Sequence, residues 1–165
     1  MNKINFQKNK NTAFSIIEVV VVPAILLMIV LAVMNAFTAY VKSSKGSIDA
    51  VKASYLLEEG IEVVKTFRDV SWNSKIASST VDVPFRIAWN TNSFATTSST
   101  ALIDGMFDRT IVLSNVYRDN VSKDISTSGT IDNNTKKVTV SVSWNSGSGT
   151  TTKTLSAYVT NIFSN

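Results

Sequence analysis

The chain has 165 residues, 44% of them apolar, which is enough for one modest globular domain plus one membrane-length helix but not for two full domains. It contains neither cysteine nor histidine, so disulfides, thiolate metal sites, cysteine nucleophiles and histidine acid–base catalysis are excluded. The formal charge is +4, but Lys3, Lys8 and Lys10 precede the apolar run. Without residues 1–13 the balance is 13 basic to 12 acidic side chains, so nucleic acid is not indicated.

Four zones follow one another. Residues 1–13, MNKINFQKNKNTA, are polar and basic with no acid. Residues 14–41 are overwhelmingly apolar; Glu18 is their only charged side chain, and 19–34 is an unbroken run of sixteen apolar residues, counting Pro23. A helix over this zone is about 42 Å long, more than the ~30 Å hydrocarbon core of a bilayer, so it can cross a membrane. Lys42 and Lys45 mark its far boundary. The expected orientation has the N-terminus inside and the long polar part exported, because long domains translocate largely regardless of charge.

Residues 42–69 are predicted to continue the helix outward as an amphipathic segment. Ile48, Val51, Tyr55 and Leu56 fall on one face. Leu57, Ile61, Val64 and Phe67 form a stripe slightly rotated from it, and Glu58, Glu59, Glu62 and Lys65 take the other side. Gly46 and Gly60 are expected to weaken or bend the helix, by up to about 1 kcal/mol each.

From residue 70 onward the period changes to two. Phe85, Ile87 and Trp89 alternate with Arg86 and Ala88, residues 110–116 form a β-branched run, and 137–144, KVTVSVSW, sets Val138, Val140, Val142 and Trp144 on one face. The glycine-rich residues 145–149 then turn the chain into a second alternating strand, 150–160. Residues 90–100 and 126–135 are rich in Ser, Thr and Asn and read as loops. The expected fold is α+β: a long N-terminal helix whose second half packs on an antiparallel sheet of about four strands.

The junction Ala13-Phe14-Ser15-Ile16-Ile17-Glu18 carries the most information. A short basic leader ends in a small residue; a phenylalanine, a small polar residue, two aliphatics and a lone acid follow, and then a continuous apolar helix. This resembles the class III signal of type IV pilins and type II secretion pseudopilins. The resemblance covers residues 1–41 closely and the helix-then-sheet layout loosely; the polar loops and the VTVSVSW strand look like those of minor pilins. It implies cleavage between Ala13 and Phe14 by a prepilin peptidase and N-methylation of Phe14. Glu18, the fifth residue after the cut, would pair with the N-terminal ammonium of a neighbouring pilin subunit. A carboxylate in an apolar span costs about 2.5–3.5 kcal/mol at mid-bilayer, so a partner is the default expectation. An unpaired one in a filament core would be a buried, uncompensated charge. Before assembly the apolar zone is solvated by lipid of the cytoplasmic (inner) membrane.

Two positions depart from the family pattern: Ala13 stands where glycine is usual, and the proline is Pro23, with Asn35 at the deeper site. Pro23 removes a backbone donor and crowds the Val19 carbonyl, which predicts a kink near residues 19–23. Asn35 has two equal options, a neighbouring helix or its own backbone.

Weaker signals lie in the polar part. Trp72, Trp89 and Trp144 with Phe85 and Phe107 are expected in the core, the alternative being a sugar- or ligand-binding surface. Asp104, Asp108, Asp119, Asp124 and Asp132 lie in or near loops, where turn formation is the ordinary role and a calcium site lacks any EF-hand spacing. Adjacent Glu58 and Glu59 diverge around the helix and make no carboxylate pair. No catalytic residue, cofactor or metal is assigned. The leading expectation is a pilus subunit of the minor-pilin kind. The alternative is a signal-anchored surface protein that keeps residues 1–13 and does not polymerise. Replacement of Ala13 by Leu is expected to leave full-length precursor in the membrane, read by mass spectrometry of the N-terminus; unchanged processing would remove the proposed cut site.

Overall fold

A run of helix-forming aliphatics with no Gly before residue 46 builds helix α1 (Ile16–Val70) in the computed structural model, which describes residues 15–100, 102–147 and 149–162. The chain divides into two compact units, one up to Lys45 and one from Gly46. In the first unit the helix begins after Ser15, whose carbonyl accepts the amide of Glu18 at 2.9 Å. It continues through Pro23.

In the second unit, α1 supplies one wall of the core. Ala53, Leu57, Gly60, Ile61, Val63, Val64 and Phe67 are buried, and all but Val63 recur at spacings of three or four, one helical face. Of the two apolar stripes in the sequence, the second one faces the sheet. Ile48, Val51 and Tyr55 are exposed, contrary to the first stripe's expected role, and only Leu56 is half-buried. The reason is steric: the small residues Ala53 and Gly60 lie on the buried face and let the helix come close to the strands. A Cβ built on Gly60 would stand 2.8 Å from Val140 Cγ1. Gly60 is therefore a contact point between helix and sheet.

Ser71 ends α1 in an extended conformation and caps a six-residue π-helical segment (Trp72–Ala77), its Oγ accepting the Ser74 amide at 3.3 Å. Trp72 and Ile76 of that segment enter the core.

Six strands follow in two sheets: a four-stranded one, the size expected, and a separate two-stranded hairpin that is not expected. β1 (Arg86–Asn90) and β2 (Ser93–Thr97) form an antiparallel hairpin. β3 (Asp108–Arg118), β4 (Ile125–Ser126), β5 (Thr130–Asn145) and β6 (Thr150–Thr160) form an antiparallel sheet in the order β4-β3-β5-β6. Two segments that read as loops are thus partly strand: Ser93–Thr97, and the start of β5 from Thr130. Pairing makes both of them strands: Ser93–Thr97 lies in register with β1, and residues 130–132 with the end of β3.

The predicted hairpin of β5 and β6 forms in full register, from Asn145↔Thr150 to Thr135↔Thr160. Val138, Val140, Val142 and Trp144 face inward, opposite Arg109, Ile111 and Leu113 of β3. A register shift between Asn115 and Val116 then changes the phase, so that Val116 also points in. Phe107 and Trp144 meet in the core at 5.8 Å between ring centroids. Trp89 does not join them: it lies past the end of the core and is 63% exposed.

The two helical glycines should respond oppositely to alanine. At Gly60 overpacking against fully buried Val140 costs about 1–3 kcal/mol, more than the roughly 1 kcal/mol gain in helix propensity. Gly46 has nothing within 4 Å of a Cβ, so Gly46→Ala should be neutral or stabilising. Thermal melts followed by near-UV circular dichroism of the full chain in detergent would check both signs.

Candidate functional site

The sequence places the candidate chemistry at the start of α1. Ala13 and Phe14, the proposed cut site and methylation site, lie outside the described residues. Glu18 lies in the first turn of the helix, where the exposed amides and the helix dipole favour an anion. Every residue from 15 to 40 is exposed, and the most apolar 18-residue stretch has no buried residue at all. Among the described residues Glu18 has no ion-pair partner. Pro23, five residues on, projects about 140° away around the axis, so the two do not form one site.

One local role for Glu18 is not legible from the membrane pattern alone. Ser15 stands immediately before the helix and Glu18 three residues later, the S-x-x-E spacing of a capping box. The bond at this turn runs between backbone groups, from the Glu18 amide to the Ser15 carbonyl; a capping role for the carboxylate would accept Gln, whereas the pairing that the family resemblance implies would need the charge.

Asn35 presents its backbone carbonyl to Thr38 Oγ1 at 2.9 Å, a local bond within the helix. From Ile16 to residue 41 the helix covers about 39 Å, which exceeds the ~30 Å apolar thickness of a bilayer. The first unit thus holds one helix long and apolar enough to cross a membrane.

In the second unit the loop aspartates take structural positions. Asp104 and Gly105 sit in the left-handed region (φ 52° and 68°) in the tight turn closed by the Ile103–Phe107 bridge. Asp119 Oδ1 accepts the amides of Val121 and Ser122, both at 2.8 Å, and these bonds hold its carboxyl below the usual range. Asp124 takes its place in the same turn through its amide, which donates to Ser122 Oγ. Asp132 is partly desolvated, which pushes its carboxyl up, but hydrogen bonds from Arg118, Thr135 and the Asn134 amide outweigh this and lower it. Asp108 opens β3 and receives two bonds from Arg86, at 2.7 and 2.8 Å. Among the described residues no group of three or more acidic side chains gathers to hold a metal ion.

Glu59 is exposed, as its place on a solvated face predicts, and from there its carboxylate also reaches Arg109 at 2.7 Å. Arg109 is only 5% exposed; its Nη1 also donates to the Leu56 carbonyl at 3.2 Å, while its Nε has no partner. The sequence signal for this pair is faint: Arg109 occupies an inward position of an alternating strand, where an apolar residue belongs.

Compared with known proteins, the chain matches no family model, no curated protein and no solved structure.

The Arg86–Asp108 pair makes acid stability testable. Its hydrogen bonds raise the Arg86 guanidinium and, with the opposing charge, lower the Asp108 carboxyl below its unfolded value despite partial burial. A lowered folded value means that the stabilisation is complete above the unfolded pKa, about 3.9, and is lost as pH falls through the folded one. Asp108→Asn should cost about 1–2 kcal/mol at pH 7, and the gap to the parent protein should close from about pH 4 downward. Denaturant melts at pH 7, 4 and 2.5 would measure it; a gap that does not change with pH would count against the ionic contribution.

Proposed function

We propose that this chain is a structural subunit of a type IV pilus or related filament, of the minor-pilin kind. It is made as a membrane-inserted precursor, cut between Ala13 and Phe14 by a prepilin peptidase and N-methylated on Phe14. The observation that carries this reading is the pairing of a lone first-turn carboxylate, Glu18, with a helix that is apolar and exposed on all sides up to residue 40. A helix meant for the core of its own domain is apolar on one stripe only. One apolar all round needs a solvent that surrounds it. Lipid provides that before assembly, and the packed helices of neighbouring subunits provide it afterwards.

On this reading the role is structural and no reaction step belongs to the chain. Glu18 sets the axial register: in the filament core its carboxylate meets the Phe14 ammonium of a neighbour, and a subunit out of register leaves both charges buried and unpaired. The helix offers its N-terminal side to the cytoplasm and carries the second unit to the far side of the membrane and then to the cell surface.

The second reading is a signal-anchored surface protein whose exported domain binds a ligand without polymerising. It draws on an exposed aromatic concavity in the second unit, described below.

Two substitutions at Glu18 separate pairing from capping. Glu18→Gln keeps the capping spacing and removes the charge; Glu18→Ala removes both. Both variants are expected to insert normally and to be recovered in sheared surface filaments at a tenth of the parent level or less. Normal incorporation of the Gln variant would overturn the ion-pair account. Mass spectrometry of the parent chain checks the pathway itself: methylated Phe14 at the N-terminus supports it, and Met1 retained in cells with active prepilin peptidase supports the anchored protein.

A further inference from the structure

The second unit holds a concavity of about 430 Å³ lined by Thr66, Phe67, Val70, Lys75, Trp89, Asn92, Ser93 and Phe94. Three elements meet there: the last turn of α1, the π-helical segment and the β1–β2 hairpin. Its volume lies in the range of small-molecule sites. A single exposed aromatic residue needs no explanation, but here Phe67, Val70, Trp89 and Phe94 line one hollow.

The hairpin shapes it. Trp89 and Phe94 are directly opposed across β1 and β2, with ring centroids 4.9 Å apart and planes at 80°. This edge contact fixes the indole while leaving it 63% exposed. The hairpin tip is held in an uncommon backbone conformation, with β-branched Thr91 in the left-handed region at φ 50°. That tip brings Asn92 and Ser93 to the rim. Among the described residues the side chains of Asn92, Ser93 and Lys75 have no hydrogen-bond or ion-pair partner. Lys75 is the only charged lining residue, and no acid opposes it.

From these groups we infer that the concavity binds a short acidic saccharide, a uronic- or sialic-acid oligosaccharide. The C–H faces of a pyranose ring carry slight positive charge and stack on the negative face of an indole, with apolar burial adding to the contact. Asn and Ser side chains match neighbouring hydroxyls as donors and acceptors. The lone ammonium supplies a partner for one carboxylate, with no acid among the lining residues. A second copy of this chain is the other occupant to consider. A stable protein contact covers about 800 Å² per partner with an apolar centre, and a small hollow with an uncommitted polar rim fits a compact polar ligand better. The inference concerns the second unit alone and holds for a filament subunit or an anchored protein alike.

Intrinsic fluorescence is a direct readout, because Trp72 and Trp144 are buried and Trp89 reports the site. The full chain, in a detergent without a sugar headgroup, is titrated with short uronic- and sialic-acid oligosaccharides and with their neutral counterparts. Saturable binding with at least a fivefold preference for the acidic sugars is expected, falling as salt is raised. By calorimetry, Trp89→Ala should weaken binding at least tenfold. Lys75→Gln should reduce the acidic preference to about one while leaving neutral sugars unaffected. Near-UV circular dichroism confirms that the buried tryptophans are undisturbed in both variants. Binding unchanged by Trp89→Ala would overturn the site, as would the absence of binding by every acidic sugar. Self-association lost in Trp89→Ala without sugar binding would assign the face to a second copy and would also overturn it.

Discussion

Sixteen consecutive apolar residues on a stretch of helix with no buried residue form the constraint from which the rest of this protein follows. Each large aliphatic side chain left in water forgoes about 1.5–3 kcal/mol, so the run cannot persist in aqueous solution. Its own domain does not cover it: the sheets begin only after residue 85 and their core takes α1 side chains from Ala53 onward. On the proposed reading the surroundings come from lipid and then from other copies. Glu18 is informative for the same reason, because an acid in such a run either sits at an interface or has a partner.

The second unit is stabilised without a single disulfide, and its helix–sheet contact shows how. Gly60 and Ala53 bring the helix axis close to β5, and the valine row of β5 fills the space with side chains that lose little rotamer entropy. The exception is Arg109, a buried cation held by Glu59 and the Leu56 carbonyl. Buried ion pairs rarely add much net stability. This one does link a strand to one position along the helix, which orients α1 on the sheet. Toward the sheet's edges the contacts change from apolar to ionic, with Arg86–Asp108 at one end of β3 and Arg118–Asp132 at the other.

The same layout explains why one aromatic residue stands apart. The β1–β2 hairpin joins the four-stranded sheet at its near end, through the Phe85–Ile111 bridge and the Arg86–Asp108 pair, so its far end passes beyond the core. Ile87 is still buried, while Trp89, two residues on and on the same face, keeps the edge contact with Phe94 but is left largely exposed. An inward alternation that leaves the core before it ends is what turns a core residue into a wall of a surface hollow.

Much of this was legible in the residues themselves. Hydrophobic period alone located the long helix, the β5–β6 hairpin and its glycine turn, because side-chain spacing follows directly from backbone geometry, whereas the change to strands read at residue 70 comes only at Arg86, after a π-helical segment. The lone acid at the head of the apolar zone was equally plain. Tertiary structure alone decided which of two apolar stripes on α1 met the sheet, since both have helical spacing and only the Gly60–Val140 approach distinguishes them. It also decided that Glu59 pairs with Arg109, fifty residues away, that polar segments such as Ser93–Thr97 become strands by pairing, and that Trp89 faces solvent. Those outcomes depend on where the core ends and which strands lie adjacent, and a one-dimensional pattern of apolar and polar residues does not contain distances between segments far apart in the chain.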